Sequence, residues 1–147
     1  METKMFHISD VLSITTGYLV STRHMDGVYD ILNFMTNDNL FTHQLPRASD
    51  ECKPYLREQF PQLDGPQMQF ALGELLEMLK TPSGRKEADK LVLGWISKLV
   101  SGKYGIKCKE MLEVKRVPQG AHQQKDPVEE AVEMTGDPKK VIVIGTE

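Results

Sequence analysis

The chain has little of what usually announces an activity. Its two cysteines, Cys52 and Cys108, lie far apart and in no CxxC pair. Nothing in that spacing points to disulfides, and a reducing compartment fits best. No apolar run approaches the roughly 20 residues that a membrane helix needs. The N-terminal METKMFHISD lacks the basic-then-apolar layout of a signal peptide, so a soluble, cytoplasmic protein with no membrane contact is expected. The GxGxxG, Walker, GxSxG and HExxH patterns are missing, as is any Cys–His signature, and an enzyme of a familiar class is not expected. The four histidines, His7, His24, His43 and His122, stand at no metal-ligand spacing, so the expectation is no metal and no cofactor. A net charge of −3 argues against whole-molecule attraction to nucleic acid or anionic membrane.

What is present is a globular composition, 39% hydrophobic and 27% charged, in a chain of 147 residues. That is long enough to bury a core without staples, and a single domain over 1–147 is expected. Charge is segregated: residues 1–80 carry 6 basic and 11 acidic side chains, 81–118 carry 9 and 4, and 119–147 carry 3 and 6. An acid–base–acid layout can pair within one fold or between subunits, or leave a basic face for a partner.

Hydrophobic periodicity predicts an α+β fold, mostly helical, with a central antiparallel helical hairpin and a small sheet contributed largely by the C-terminal third. The N-terminal helical part covers 1–62, the hairpin 65–102 and a C-terminal strand–helix–strand unit 109–147. Met5–Ile8 reads as an edge strand, Ser9-Asp10 as a capped helix start and Gly17 as its end. A core helix over 26–36 carries Val28, Ile31, Leu32 and Met35 at i, i+3, i+4, i+7. Another helix starts at Ser49-Asp50-Glu51, close enough to Pro54 for that proline to be tolerated. Met68, Ala71, Leu72, Leu75, Leu76 and Leu79 form one strict stripe; Ala88, Leu91, Val92, Trp95, Ile96 and Leu99 form the next. The short turn at 81–84 allows these two helices little but an antiparallel hairpin. Strands are expected at 111–117 and at 141–145, with a loop over 118–127 and a short helix between. The apolar run Val141–Ile144 is a candidate seam for a homodimer.

The most site-like stretch is TNDNLFTHQLPR, residues 36–47, which reads as a loop pinned into the core by Leu40, Phe41, Leu45 and Pro46. Loops held in this way often present side chains for binding. Asp38, His43, Gln44 and Arg47 are its candidate binding residues. His43 is read chiefly as a loop-holding hydrogen-bonding group rather than a general base, and Arg47 as a fork for phosphate or carboxylate or a partner for Asp38 or Asp50. Thr15 and Thr16 add hydroxyls, although they sit at a helix C-terminus, where anions are disfavoured. Lys86, Lys90 and Lys98 form a candidate basic face, extended by Lys103, Lys107 and Lys109, whose plainer reading is a solvated helix surface. Tyr104 alone offers stacking there.

The runs ISDVLSITTG, GVYDILNFMT and DNLFTHQLPRA, from Ile8 to Ala48, resemble an uncharacterised family of small proteins from tailed phages and bacterial prophages. The family pattern carries glycine at the place of Asn37 and arginine at that of Tyr18. The resemblance brings no established activity. It implies a phage or prophage accessory protein in the host cytoplasm, acting by binding a host protein and inhibiting a defence component. The alternative is a small-molecule or signalling-nucleotide binder using Thr15, Thr16, His43, Gln44 and Arg47. Nucleic-acid binding through the basic face is a further alternative, and a small hydrolase using His43 comes last.

Overall fold

The computed structural model describes residues 2–135. Strand β1, Thr3–His7, pairs antiparallel with β2, Met111–Lys115, in the register Thr3↔Lys115 to His7↔Met111. Along β2, Leu112 and Val114 turn inward while Met111, Glu113 and Lys115 stay exposed, the period-two pattern of a strand covered on one face. The amide of Ile8 donates to the Glu110 carbonyl at 2.7 Å and continues the ladder into the first helix. On the far side of β2, the Gln59 side chain bonds both the N–H and the C=O of Lys115, at 2.9 and 3.4 Å. A side-chain amide thus imitates a neighbouring strand and blunts the edge. These are the two strands among the described residues; the strand expected at 141–145 lies outside them.

Helix α1, Ile8–Thr16, is buried from Ile8 through Thr15, and α2 spans Met25–Thr36. The core of the N-terminal half is therefore α1 rather than the 26–36 helix. Its polar residues are tolerated inside because each of several meets the 18–24 connection. Ser13 Oγ accepts from the Val20 amide at 3.0 Å, Ser9 Oγ accepts from the Thr22 amide at 3.1 Å, and Asp10 accepts from Ser21 Oγ at 2.5 Å. The cap of α1 is not Ser9 but His7, whose Nδ1 accepts from the Ser9 amide. Gly27 closes α2 against α1: a Cβ there would lie 2.2 Å from Ser21 Oγ and 2.3 Å from Asp10 Oδ1. At the other end, Asn37 takes the left-handed conformation, φ 54 and ψ 46, and caps α2. Glycine reaches that region freely and asparagine is among the few other residues that do, so the departure from glycine at this place carries little strain.

Helix α3 runs Leu45–Gln59, starting four residues before the expected Ser49. Thr42–Gln44 forms a 3-10 turn leading into it, fixed by Gln44 Oε1 accepting from the Phe41 amide at 2.9 Å. Pro46 sits in the first turn, where no N–H is needed. The earlier start puts Pro54 inside the helix rather than near its beginning; it stands on the exposed side, where water can serve the carbonyl it leaves without a partner. The hairpin consists of α4, Pro66–Leu79, and α6, Ala88–Val100, joined through a short α5, Pro82–Lys86, in place of a plain turn. Thr81 Oγ1 caps α5 by accepting from the Gly84 amide. Trp95 Nε1 donates to the Ala71 carbonyl at 2.7 Å, while Leu79 sits beside Ala88 and Val92. Those two levels fix the helices as antiparallel. Helix α7, Pro127–Thr135, ends the described chain. The architecture is α+β, mostly helical around a small antiparallel sheet, and one hydrophobic cluster extends from Phe6 to Val114. No helix among the described residues is long and apolar enough to cross a membrane.

Candidate functional site

The 36–47 stretch is where the chain meets its own later part. Thr36 ends α2 and Leu45–Arg47 begin α3, which leaves 37–44 as the connection. Across it lies a strap, residues 118–130. Arg47 makes the centre of the contact: Nε and Nη2 each donate at 2.7 Å to the two oxygens of Glu130, and Nη1 donates to Glu51 at 2.9 Å and to the Gln123 carbonyl at 2.8 Å. Gln44 Nε2 donates to Glu130 Oε1 at 3.1 Å and to the Lys125 carbonyl at 3.3 Å. His43 Nε2 donates to the Pro127 carbonyl at 2.7 Å. The His122 side chain, 3% exposed, stands between Glu51 Oε1 at 2.5 Å and Asp38 Oδ2 at 2.9 Å.

A bidentate guanidinium–carboxylate pair is among the stronger polar contacts available to a protein. Its electrostatic trace is visible on both partners. The hydrogen bonds from Arg47, then from Gln44, hold the Glu130 carboxyl below the usual range although burial acts the other way. Glu130 in turn raises Arg47 above its ordinary value. The predicted partners of Arg47, Asp38 or Asp50, are replaced by Glu130 and Glu51, because Arg47 lies in the first turn of α3 and faces the strap. Asp38, His43, Gln44 and Arg47 are thus brought together, but around a segment of the same chain.

The remaining expected residues lie elsewhere. Thr15 is buried in α1, its hydroxyl without a hydrogen-bond partner among the described residues, and Thr16 Oγ1 donates to the Leu12 carbonyl at 2.6 Å. They are not neighbours of the strap contact. Lys86, Lys90 and Lys98 are all exposed, but Lys86 belongs to α5 and is separated from the other two by a helix break at Glu87. Cys52 is buried, which pushes its thiol up to about 12 and leaves it an inert core residue.

One arrangement escaped sequence reasoning. Ser9 Oγ lies 2.6 Å from His7 Nδ1, and His7 Nε2 lies 3.3 Å from Glu110 Oε1. Serine, histidine and carboxylate stand in the order of a nucleophilic relay. However, Ser9 is fully buried and its oxygen already accepts the Thr22 amide. No carbonyl substrate can reach it, and the trio acts as a helix cap tied to the β2 approach. No spacing rule links His7 and Ser9 to Glu110, which the antiparallel register alone brings near. Among the described residues, no group of three or more histidine, cysteine, aspartate or glutamate side chains is placed to hold a metal ion.

The open polar surface lies beside the strap. Two clefts of about 440 and 430 Å³ share Asn37 and Arg116 and together form a trough along the C-terminal half of α2. One end is lined by Lys4, Asp30, Asn33 and Asn39, the other by Gly120, His122 and Gln124. Arg116 is fixed there: its guanidinium lies 4.3 Å from the centre of the Phe34 ring and donates to the Phe34 carbonyl and to Glu2. Asn33 Oδ1 accepts from the Leu40 amide at 2.9 Å, which orients the amide and leaves its NH2 group without a partner among the described residues. The side-chain amides of Asn37 and Asn39 have no partner among the described residues either. Three carboxamides therefore present donors and acceptors to one trough.

A family model described as Domain of unknown function (DUF7736) matches residues 6–65. No curated protein and no solved structure matches the chain. The match covers the end of β1, then α1, α2, α3 and the 37–44 connection, and it stops before the hairpin and the strap.

Proposed function

We propose that the chain acts by binding, taking an extended segment of a protein partner into the trough at Asn33, Asn37 and Asn39. One observation carries this reading: among the described residues the side-chain amides of Asn37 and Asn39 and the NH2 group of Asn33 have no partner, whereas the other site-like groups, His43, Gln44 and Arg47, are engaged by the strap. Amides that both donate and accept suit a polypeptide backbone, which offers N–H and C=O alternately along an extended chain. The trough is open and mostly polar. Small-molecule sites are usually enclosed and mainly apolar, so a nucleotide is the poorer fit. Lys4, paired with Asp30 at 3.0 Å, and Arg116, paired with Glu2 at 2.8 Å, put charge of both signs along the trough.

The resemblance of residues 8–48 to phage and prophage proteins gives the partner its context. The partner is then a host protein, and the setting the cytoplasm of an infected or lysogenic bacterium, with inhibition of a defence component as the outcome. The test is capture from host lysate with the full chain as bait, alongside the double variant Asn37→Gly/Asn39→Ala. Glycine keeps the left-handed cap at 37, so both baits should melt alike. A stoichiometric host protein held by the parent chain and lost by the variant is expected. Equal capture by both baits, or none by either, would refute the proposal.

A further inference from the structure

The hairpin carries a surface that neither the trough nor the strap uses. Between α4 and α6 lies a cleft of about 490 Å³ lined by Gln69, Phe70, Gly73, Glu74, Met78 and Lys98. Phe70 is 66% exposed, a large aromatic left in water with only its edge on Tyr104. The helix walls are oppositely charged. On α4, Glu74 and Glu77 are exposed and one turn apart, Glu77 lying 3.0 Å from Lys80 in a solvent-exposed pair; on α6, Lys90 and Lys98 are exposed and have no ion-pair partner among the described residues, and Lys98 lines the cleft.

The backbone at this level is bare as well. Gly73, two residues after Ala71, and Gly94, next to Trp95, lie near the level of the Ala71–Trp95 hydrogen bond in the antiparallel hairpin. A Cβ at either would meet nothing within 4 Å. A glycine inside a helix costs roughly 1 kcal/mol against alanine. Elsewhere in this chain close packing explains a helical glycine, as at Gly27. Nothing in the fold itself explains these two.

We infer that the α4–α6 face is an interface with a second copy of this chain. A two-fold axis sets the acidic ridge of α4 against the basic ridge of α6 on the partner, twice over, and places each Phe70 against the other copy's bare helix surface. The face is thus complementary to itself, as an isologous contact requires. The same arrangement gives Lys90 and Lys98 a role other than contact with nucleic acid.

The test uses the full chain in sedimentation equilibrium over a wide concentration range. Reversible association to twice the chain mass is expected, weakening as salt rises. Glu74→Lys/Glu77→Lys makes both ridges basic, and Lys90→Glu/Lys98→Glu makes both acidic. Each variant alone should be monomeric, and an equimolar mixture should dimerise, since each ridge then meets its opposite. Gly94→Leu should fold at least as stably as the parent and fail to associate. A parent chain that is monomeric throughout, a dimer that survives either reversal or Gly94→Leu, or a mixture that stays monomeric would overturn the inference.

Discussion

Replacing Arg47 by alanine tests the strap contact directly. The guanidinium is 25% exposed and the Glu130 side chain it grips only 4%. Removing one partner of a buried pair costs about 3–5 kcal/mol, because the other charge is left desolvated. Partial exposure of Arg47 puts the change near the low end, about 3 kcal/mol. For a chain of this size that is a fall in melting temperature of about 9 °C. Arg47→Lys keeps the charge but loses the fork, and should lose about half as much. The loss divides between global unfolding and detachment of the strap, so thermal melts should be paired with hydrogen exchange, and faster exchange is expected at 122–131. The pH dependence has a definite sign. Arg47 holds the folded Glu130 carboxyl below its unfolded value, so the pair contributes fully above the unfolded value. That contribution disappears as pH falls through the folded one, and Arg47→Ala should show a shallower acid limb than the parent. An Arg47→Ala protein with parental melting and parental exchange at 122–131 would refute the reasoning.

Two further substitutions probe the core. Gly27→Ala gains helix propensity, about 1 kcal/mol, yet its methyl would sit 2.2 Å from Ser21 Oγ and 2.3 Å from Asp10 Oδ1. Displacing a fully buried, hydrogen-bonded carboxylate outweighs the gain, and a net loss of about 2 kcal/mol in urea unfolding is expected. Trp95→Phe removes the donor to the Ala71 carbonyl and part of a ring that is 1% exposed. It should lower stability by about 2 kcal/mol, followed by circular dichroism because the fluorophore is lost.

The elements legible in the sequence were those whose burial obeys a period. The stripes from Met68 to Leu79 and from Ala88 to Leu99 placed the hairpin and its direction, and alternation at Leu112 and Val114 placed β2. The centrality of α1 is not legible, because Ser9, Asp10 and Ser13 look like surface residues until the 18–24 connection supplies their partners. The start of α3 was hidden by Pro46, which reads as a loop residue but is well suited to a first helical turn. TNDNLFTHQLPR is legible as a pinned loop rich in binding groups, but the pinning element, 118–130, lies some 80 residues away. No local rule connects Arg47 to Glu130 or Glu51 to His122. The Asn33, Asn37 and Asn39 trough went unnoticed for the opposite reason: isolated asparagines are common in turns, and only the fold puts these on one wall.

The matched segment 6–65 is not a complete structural unit in this chain. Its first residues, Phe6 and His7, pair with Leu112 and Met111 of β2, and its polar cluster, Asp38, His43, Gln44, Arg47 and Glu51, takes partners from 122–130. The chain's own strap fills that cluster. Recognition of anything else must therefore use surfaces that the strap leaves open or helps to build. The trough is of the second kind, since Gly120, His122 and Gln124 form one of its ends and Gln124 donates to the Asn37 carbonyl at 3.3 Å. Arg47 lines neither cleft, yet it holds the segment that does. A strap loosened by Arg47→Ala should weaken partner capture through the wall it leaves disordered, and lowering the temperature should restore much of that capture. A variant of the trough itself, such as Asn37→Gly/Asn39→Ala, should not be rescued in this way, and the difference separates a positioning role for Arg47 from a contact made by the trough.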